Sequence, residues 1–194
     1  MARPREFDRD SVLQLARQVF WARGYAATST DELLKAMGIG RQSLYNAFGG
    51  KWQLYLEVLA DYQQGSISDH LRRLQQPVSA LEGIRALLEG LAVDDDTLRG
   101  LGCMGLGSTS EFGAGEPELQ ALRDKGSAAL LARLTLRIKE GQASGEIDTQ
   151  PDPALMARYV LMSMTGIQLA ARGGAKQDEL CELARFATDR LQPR

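Results

Sequence analysis

TSTDELLKAMGIGRQSLYNAFGGK, Thr28 to Lys51, reads as two short helices joined by a glycine-bounded turn, with a third helix starting at its end. Ser29 is placed to cap the free amides of the first helix, and Glu32, three residues on, to reach back and complete a capping box; Thr30 is the competing cap. Leu33, Leu34, Ala36 and Met37 give this helix an apolar side. Gly38 takes a left-handed conformation at least cost, so the helix is expected to end near Met37. Ile39 then fills the angle, and Arg41 to Phe48 form a second helix whose Leu44 and Phe48 face inward. Arg41, Gln42, Ser43, Tyr45 and Asn46 are left outside. That set suits base edges in a major groove: arginine pairs bidentately with guanine, asparagine or glutamine with adenine, and tyrosine reaches a phosphate or a thymine methyl. The pattern is a helix-turn-helix and points to double-stranded DNA, against the plainer reading of a helical hairpin with a polar outer face.

Phe20, Gly24 and Tyr25 precede this stretch, and Thr28, Ser29, Met37, Gly38, Ile39, Gly40, Leu44, Tyr45, Phe48 and Lys51 continue the string. In that order the first 51 residues resemble the DNA-binding domain of the TetR family of bacterial transcriptional regulators. Three positions depart from the family pattern: Gly40 stands for a helix-capping serine, Leu34 for a small alanine, and Ala47 for an aromatic or histidine. The resemblance implies an all-helical homodimer that grips a palindromic operator and is released by a small-molecule inducer. The candidate DNA contacts are Thr28, Ser29, Thr30, Arg41, Gln42, Ser43, Tyr45, Asn46 and Lys51.

Charge divides the chain in the same place. Residues 1–51 hold 8 Lys and Arg against 5 Asp and Glu, and the remainder 15 against 20, so a head of +3 sits on a body of −5 within a net −2. Counterion release at phosphates responds to local rather than net charge, so the acidic total does not argue against DNA. Arg3, Arg5 and Arg9 form a short basic arm suited to a groove or backbone, or else a frayed terminus.

A chain of 194 residues with 44% hydrophobic content can bury a sizeable core. No window is expected to reach the roughly 18 to 20 apolar residues of a membrane span, and the N-terminus has no signal-peptide core, so the expected location is the cytoplasm. Cys103, Cys181 and the one histidine, His70, cannot assemble a usual zinc site, and no cofactor is expected. His70 reads as a polar surface residue.

Beyond the head the period is helical throughout. One long helix is expected from Lys51 to about Gln76, with Trp52, Leu54, Tyr55, Val58, Leu59 and Tyr62 on one stripe. Pro77 breaks it, Val78 to Val93 form the next, and Asp94 to Asp96 start a turn. Pro117 opens a long helix running to Gly141. Near the C-terminus Leu155, Tyr159, Met162, Gly166 and Leu169 fall at spacings of four and three, and Leu180, Leu183, Ala184, Ala187 and Leu191 repeat the habit after Gly173 and Gly174. These are the candidate dimerisation residues, which the resemblance places in a four-helix interface between copies. Met156, Val160, Met164 and Ile167 supply a second apolar face, so this helix needs two neighbours.

Gly100, Gly102 and Gly105 spell G-x-G-x-x-G, but a dinucleotide site needs a preceding strand, and what precedes is helical. Gly102 to Glu111 instead resembles a Gly-Cys-apolar run ending in Glu that opens a helix beside the ligand cavity in a subset of TetR-like regulators. Cys103 within it is either a sensor whose thiolate a helix N-terminus favours or a small packing residue, while Cys181 reads as structural. Tyr62, Met104, Phe112, Tyr159 and Met162 are the candidate cavity residues.

The expected fold is all-α, with a helix-turn-helix domain at 1–50 and a helical ligand-binding and dimerisation domain at 51–194. The expected function is a ligand-responsive repressor. The alternatives are a thiol-based redox or electrophile sensor switched through Cys103, and a helical small-molecule-binding protein without specific DNA binding. A single histidine without clustered partners argues against an enzyme.

Overall fold

The computed structural model describes residues 7–193, so Arg3 and Arg5 of the basic arm lie outside the described residues. Among these residues the chain forms ten helices and no strands. Helix α1 (Arg9–Arg23) starts at Asp8, whose carboxylate accepts from the Ser11 amide, and ends at Gly24 with φ 77°. Helix α2 (Thr30–Met37) has the expected capping box between Ser29 and Glu32, and Gly38 ends it in the left-handed region at φ 65°. Ala36, expected on its apolar side, is on the outer surface instead. Helix α3 (Arg41–Phe48) begins at Gly40 without a side-chain cap.

Helix α4 (Lys51–Gln75) is the spine, 25 residues and about 37 Å long. Its first half packs on α1 and α3. Its second half packs on α5 (Ala80–Glu89), which is shorter than expected because Ser79 caps it and Val78 is left 99% exposed. The crossing is close: a β-carbon on Gly83 would lie 2.3 Å from the Leu74 carbonyl oxygen. The Arg137 Nη2 ties down the intervening loop by donating to the carbonyls of Pro77, Val78 and Ser79 at 2.5, 2.9 and 2.9 Å.

The glycine-rich segment forms two helices, α6 (Asp96–Leu101) and α7 (Met104–Phe112), separated by Gly102 at φ 62°. Helices α8 (Pro117–Ser144), α9 (Pro153–Arg172) and α10 (Gln177–Asp189) complete the body. Contrary to expectation, α9 is long and apolar enough by composition to cross a membrane. Its apolarity has a local reason, since Met156, Val160, Met164 and Ile167 are buried in the core while a second apolar row faces outward.

Two cores form. One gathers Phe20, Leu33, Leu44 and Phe48 of the head with Leu54 to Leu59 of α4, Met104 and Leu119. The other joins the end of α4 to α5, α8, α9 and α10. Helix α4 contributes to both cores.

Candidate functional site

Helix α3 presents the recognition set as its spacing dictates. Leu44 and Phe48 are buried, Arg41, Gln42, Tyr45 and Asn46 are exposed, and Ser43 is half-buried. Two local contacts restrain this face: Gln42 Nε2 donates to Asn46 Oδ1 at 2.9 Å, and Arg41 Nη2 pairs with Asp31 Oδ1 at 2.6 Å. The Tyr45 ring rests on the backbone of Gly50, where a β-carbon would come within 3.3 Å. Ser29 is exposed, with its hydroxyl shared with Glu32, and Thr30 is half-buried. The Ser29 amide and hydroxyl hold the Glu32 carboxyl below its ordinary range. Lys51 stands at the start of α4, its Nζ 4.0 Å above the Tyr25 ring.

Two expectations fail in the head. Thr28 is only 1% exposed and its hydroxyl donates to the Gly24 carbonyl at 2.6 Å, so its side chain closes the α1–α2 turn and is not available to DNA. Arg9 is tied inward: its guanidinium lies over the Phe48 ring at 4.7 Å and donates to Glu57 at 2.7 Å.

The outer row of α9 holds Leu155, Tyr159, Met162 and Leu169 with Gly166 exposed between them; Met162 is 73% and Leu169 62% exposed. Leu183 and Phe186 of α10 continue the patch. Leu180, Ala184, Ala187 and Leu191, expected on this face, are buried in the body core. The spacing that selected them belongs to the inner side of α10, and Phe186, three residues after Leu183, was the missed signal.

Helices α4, α7, α8 and α9 line an open cavity of about 240 Å³. Tyr62, Ser66 and His70 line it from successive turns of α4, and Cys103 lies at the start of α7. His70 is buried, not on the surface; its Nε2 is 3.2 Å from Ser66 Oγ and its Nδ1 has no partner. Burial, reinforced by Arg73, pushes its pKa down to about 4, so the ring is neutral near pH 7. Burial and the adjacent Cys103 thiol push the Tyr62 hydroxyl well above its ordinary value.

Of the candidate cavity residues Tyr62 alone lines this space, and Cys103, the sensor candidate, lines it as well. Met104 is buried in the head core and borders an adjoining hollow of about 350 Å³ that also touches Cys103. Phe112 belongs to an aromatic cluster, 5.7 Å from Tyr25 and 5.6 Å from Trp52. Tyr159 and Met162 are on the outer face of α9 and do not line the cavity. The correction has one cause: α9 is apolar on two sides, and the cavity is reached from the side of Leu161, Met164 and Gln168. Among the described residues no cluster of three His, Cys, Asp or Glu side chains is placed to hold a metal ion.

Helix α7 joins cavity to head. The Trp21 indole donates to the Gly102 carbonyl at 3.1 Å, and the Glu111 carboxylate accepts from the Tyr25 amide at 3.0 Å and the Ala26 amide at 2.5 Å. Gly24 lets the carboxylate approach, since a β-carbon there would sit 3.0 Å from Glu111 Oε2 and its φ of 77° is one L side chains rarely adopt. On its other side α7 puts Cys103, Gly105, Leu106 and Thr109 against the cavity.

The family model for bacterial regulatory proteins of the tetR family matches residues 12–58. Over 185 residues the chain is 35% identical to the HTH-type transcriptional regulator YezE of Bacillus subtilis, covering 93% of this chain and 94% of that one. It is 29% identical over 195 residues to the HTH-type transcriptional repressor ComR of Escherichia coli, covering 98% and 91%. Among solved structures, the TetR family transcriptional regulator CifR, a cysteine mutant complexed with 26-bp operator DNA, superposes with a TM-score of 0.80 at 30% identity, over 98% of this chain and 100% of that one.

Proposed function

Since this chain belongs to the tetR family of bacterial regulatory proteins, we propose that it is a homodimeric, ligand-responsive repressor acting on a palindromic operator in the cytoplasm. Residues 1–50 read the operator and residues 51–194 bind the inducer and pair the two copies. The observation that carries this reading is the face of α3, where Arg41, Gln42, Tyr45 and Asn46 stand outward over the buried Leu44 and Phe48. Arg41, Gln42 and Asn46 are the residues for base edges; Ser29, Thr30, Ser43, Tyr45 and Lys51 hold the phosphates that fix the register. Leu155, Tyr159, Met162, Gly166, Leu169, Leu183 and Phe186 form the self-complementary surface. A two-fold axis through it presents two α3 helices and so requires a palindromic operator.

Release follows from differential binding. An inducer that favours the arrangement unable to grip DNA, with a coupling of about 1 to 3 kcal/mol, lowers operator affinity roughly 5- to 150-fold. Helix α4 is the pivot, and α7 transmits the shift through Glu111 and Trp21.

A second reading rests on Cys103, which lines the cavity against Tyr62. In it the Cys103 sulfur adds to the activated C=C bond of an electrophile, the new S–C bond replacing the π bond while the thiol proton passes through solvent to the neighbouring carbon, and the adduct acts as the inducer. A Cys103→Ser variant that remains fully inducible removes this route.

Selection of bound sequences from a random duplex library by the purified protein tests the main reading. The expected result is a palindrome bound with steep salt dependence and weakened at least about tenfold, on the order of a lost phosphate or base contact, by Tyr45→Ala. Weak binding indifferent to sequence would overturn it and leave a helical small-molecule-binding protein.

A further inference from the structure

Helix α2 carries two carboxylates in its first turn, and they have different employment. Glu32 is committed to its own helix end: it accepts from the Ser29 amide at 2.8 Å and from the Ser29 hydroxyl at 2.9 Å, and it pairs with Arg23. Asp31 takes no part in that cap. It reaches across the turn to the first residue of α3, where its Oδ1 accepts from Arg41 Nη2 at 2.6 Å, and both side chains are exposed.

A carboxylate among groups that meet DNA repels every phosphate and lowers affinity for all sequences alike. Folding stability does not account for it, because an exposed ion pair contributes little. The geometry does. Arg41 makes no other hydrogen bond among the described residues, so Nε, Nη1 and the second hydrogen of Nη2 stay free. Two adjacent donors of that edge are what guanine O6 and N7 accept from an arginine. A side chain already held by a carboxylate loses less rotamer freedom on binding and presents its edge in one direction. Without that hold, the guanidinium is equally free to swing to a phosphate, which carries no sequence information. We propose that Asp31 is a specificity-determining residue, which by holding Arg41 across the helix-turn-helix commits it to one guanine in each operator half-site. This assignment rests on the reading of α3 as the recognition helix.

Fluorescence anisotropy of the full-length protein tests it, on the operator selected from random duplex, on duplexes with each guanine of one half-site replaced in turn, and on random duplex. A bidentate arginine–guanine pair discriminates by roughly 5- to 150-fold, so the wild type is expected to lose affinity by a factor in that range when one particular guanine is replaced, and Arg41→Ala to be indifferent to it. Asp31→Ala is expected to cut the preference at that same guanine about threefold or more, the margin of a lost preorganising contact. The other positions should keep their preferences, and random duplex should bind at least as tightly as before. Asp31→Asn, which keeps an acceptor oxygen and loses the charge, should retain part of the preference. A guanine preference that survives Asp31→Ala intact would overturn the proposal. So would a loss spread evenly over all positions with weaker binding of random duplex, which is the mark of a damaged head. A palindrome without any Arg41-dependent guanine would overturn it and leave the repressor reading standing, whereas no palindrome at all would overturn both.

Discussion

Lys51 and His70 lie on the same helix in opposite environments, and each sets a measurable expectation. Lys51 is half-exposed at the start of α4. If it holds a phosphate, Lys51→Ala weakens binding to all operator sequences alike and lowers the slope of log affinity against log salt by about 1 per protomer, measurable by fluorescence anisotropy from low to moderate salt. A changed sequence preference with an unchanged slope would place it elsewhere. His70 has its folded pKa lowered from 6.5 to about 4. The unfolded chain therefore binds the extra proton between those values, so stability is intact above about pH 6.5 and falls as pH drops toward 4. Going from pH 7 to pH 5 is expected to cost about 1 to 2 kcal/mol from this group, read from urea midpoints, and His70→Gln should flatten that part of the profile. The capping role of Ser29 and Glu32 was legible in the sequence because it involves residues three apart. The burial of His70 was not, because α7, α8 and α9 create it from more than 30 residues downstream.

Helix α7 shows why a local reading of an element falls short. Each helix-interior glycine costs about 1 kcal/mol relative to alanine, so residues 100–115 read as a poor helix. Tertiary contacts offset that cost: Met104 and Ser108 are buried, Glu111 takes two head amides, and Phe112 joins the aromatic cluster. The run ending in Glu111 was visible by resemblance, whereas its partners, Tyr25 and Ala26, lie 86 and 85 residues away. Glu111→Gln keeps an acceptor oxygen but loses the charge and one of two equivalent acceptors. Cavity ligands should then bind as before while their effect on operator affinity shrinks toward none. Parallel calorimetry and operator titration check this, and coupling that survives unchanged would exclude Glu111 as the link. Helix α10 errs in the other direction: Leu180, Ala184 and Ala187 follow a clean helical period, but periodicity alone does not say which of two neighbours a stripe faces.

At the scale of the molecule, the outer patch on α9 and α10 and the two-fold operator stand or fall together. A Met162→Glu substitution puts a charge at the most exposed point of the α9 row and is expected to halve the mass in solution to that of one 21.2-kDa chain, with operator affinity falling by about two orders of magnitude as one half-site is lost. Sedimentation with operator titration measures both, and a dimer that persists would move the interface off this face. The all-helical class, the helix-turn-helix with its ends, the spine from Lys51 and the basic head were determined by the sequence alone. Caps, turn glycines and apolar periods act over a few residues and carry their physics with them. Tertiary structure alone decided that Thr28 and Arg9 are committed inside the head, that Tyr159 and Met162 face outward and not into the cavity, and that Arg123, His70 and Cys103 border one cavity. Those facts depend on desolvation and on contacts between segments far apart in the chain, and a helix that is apolar on two sides does not specify which neighbour each side meets.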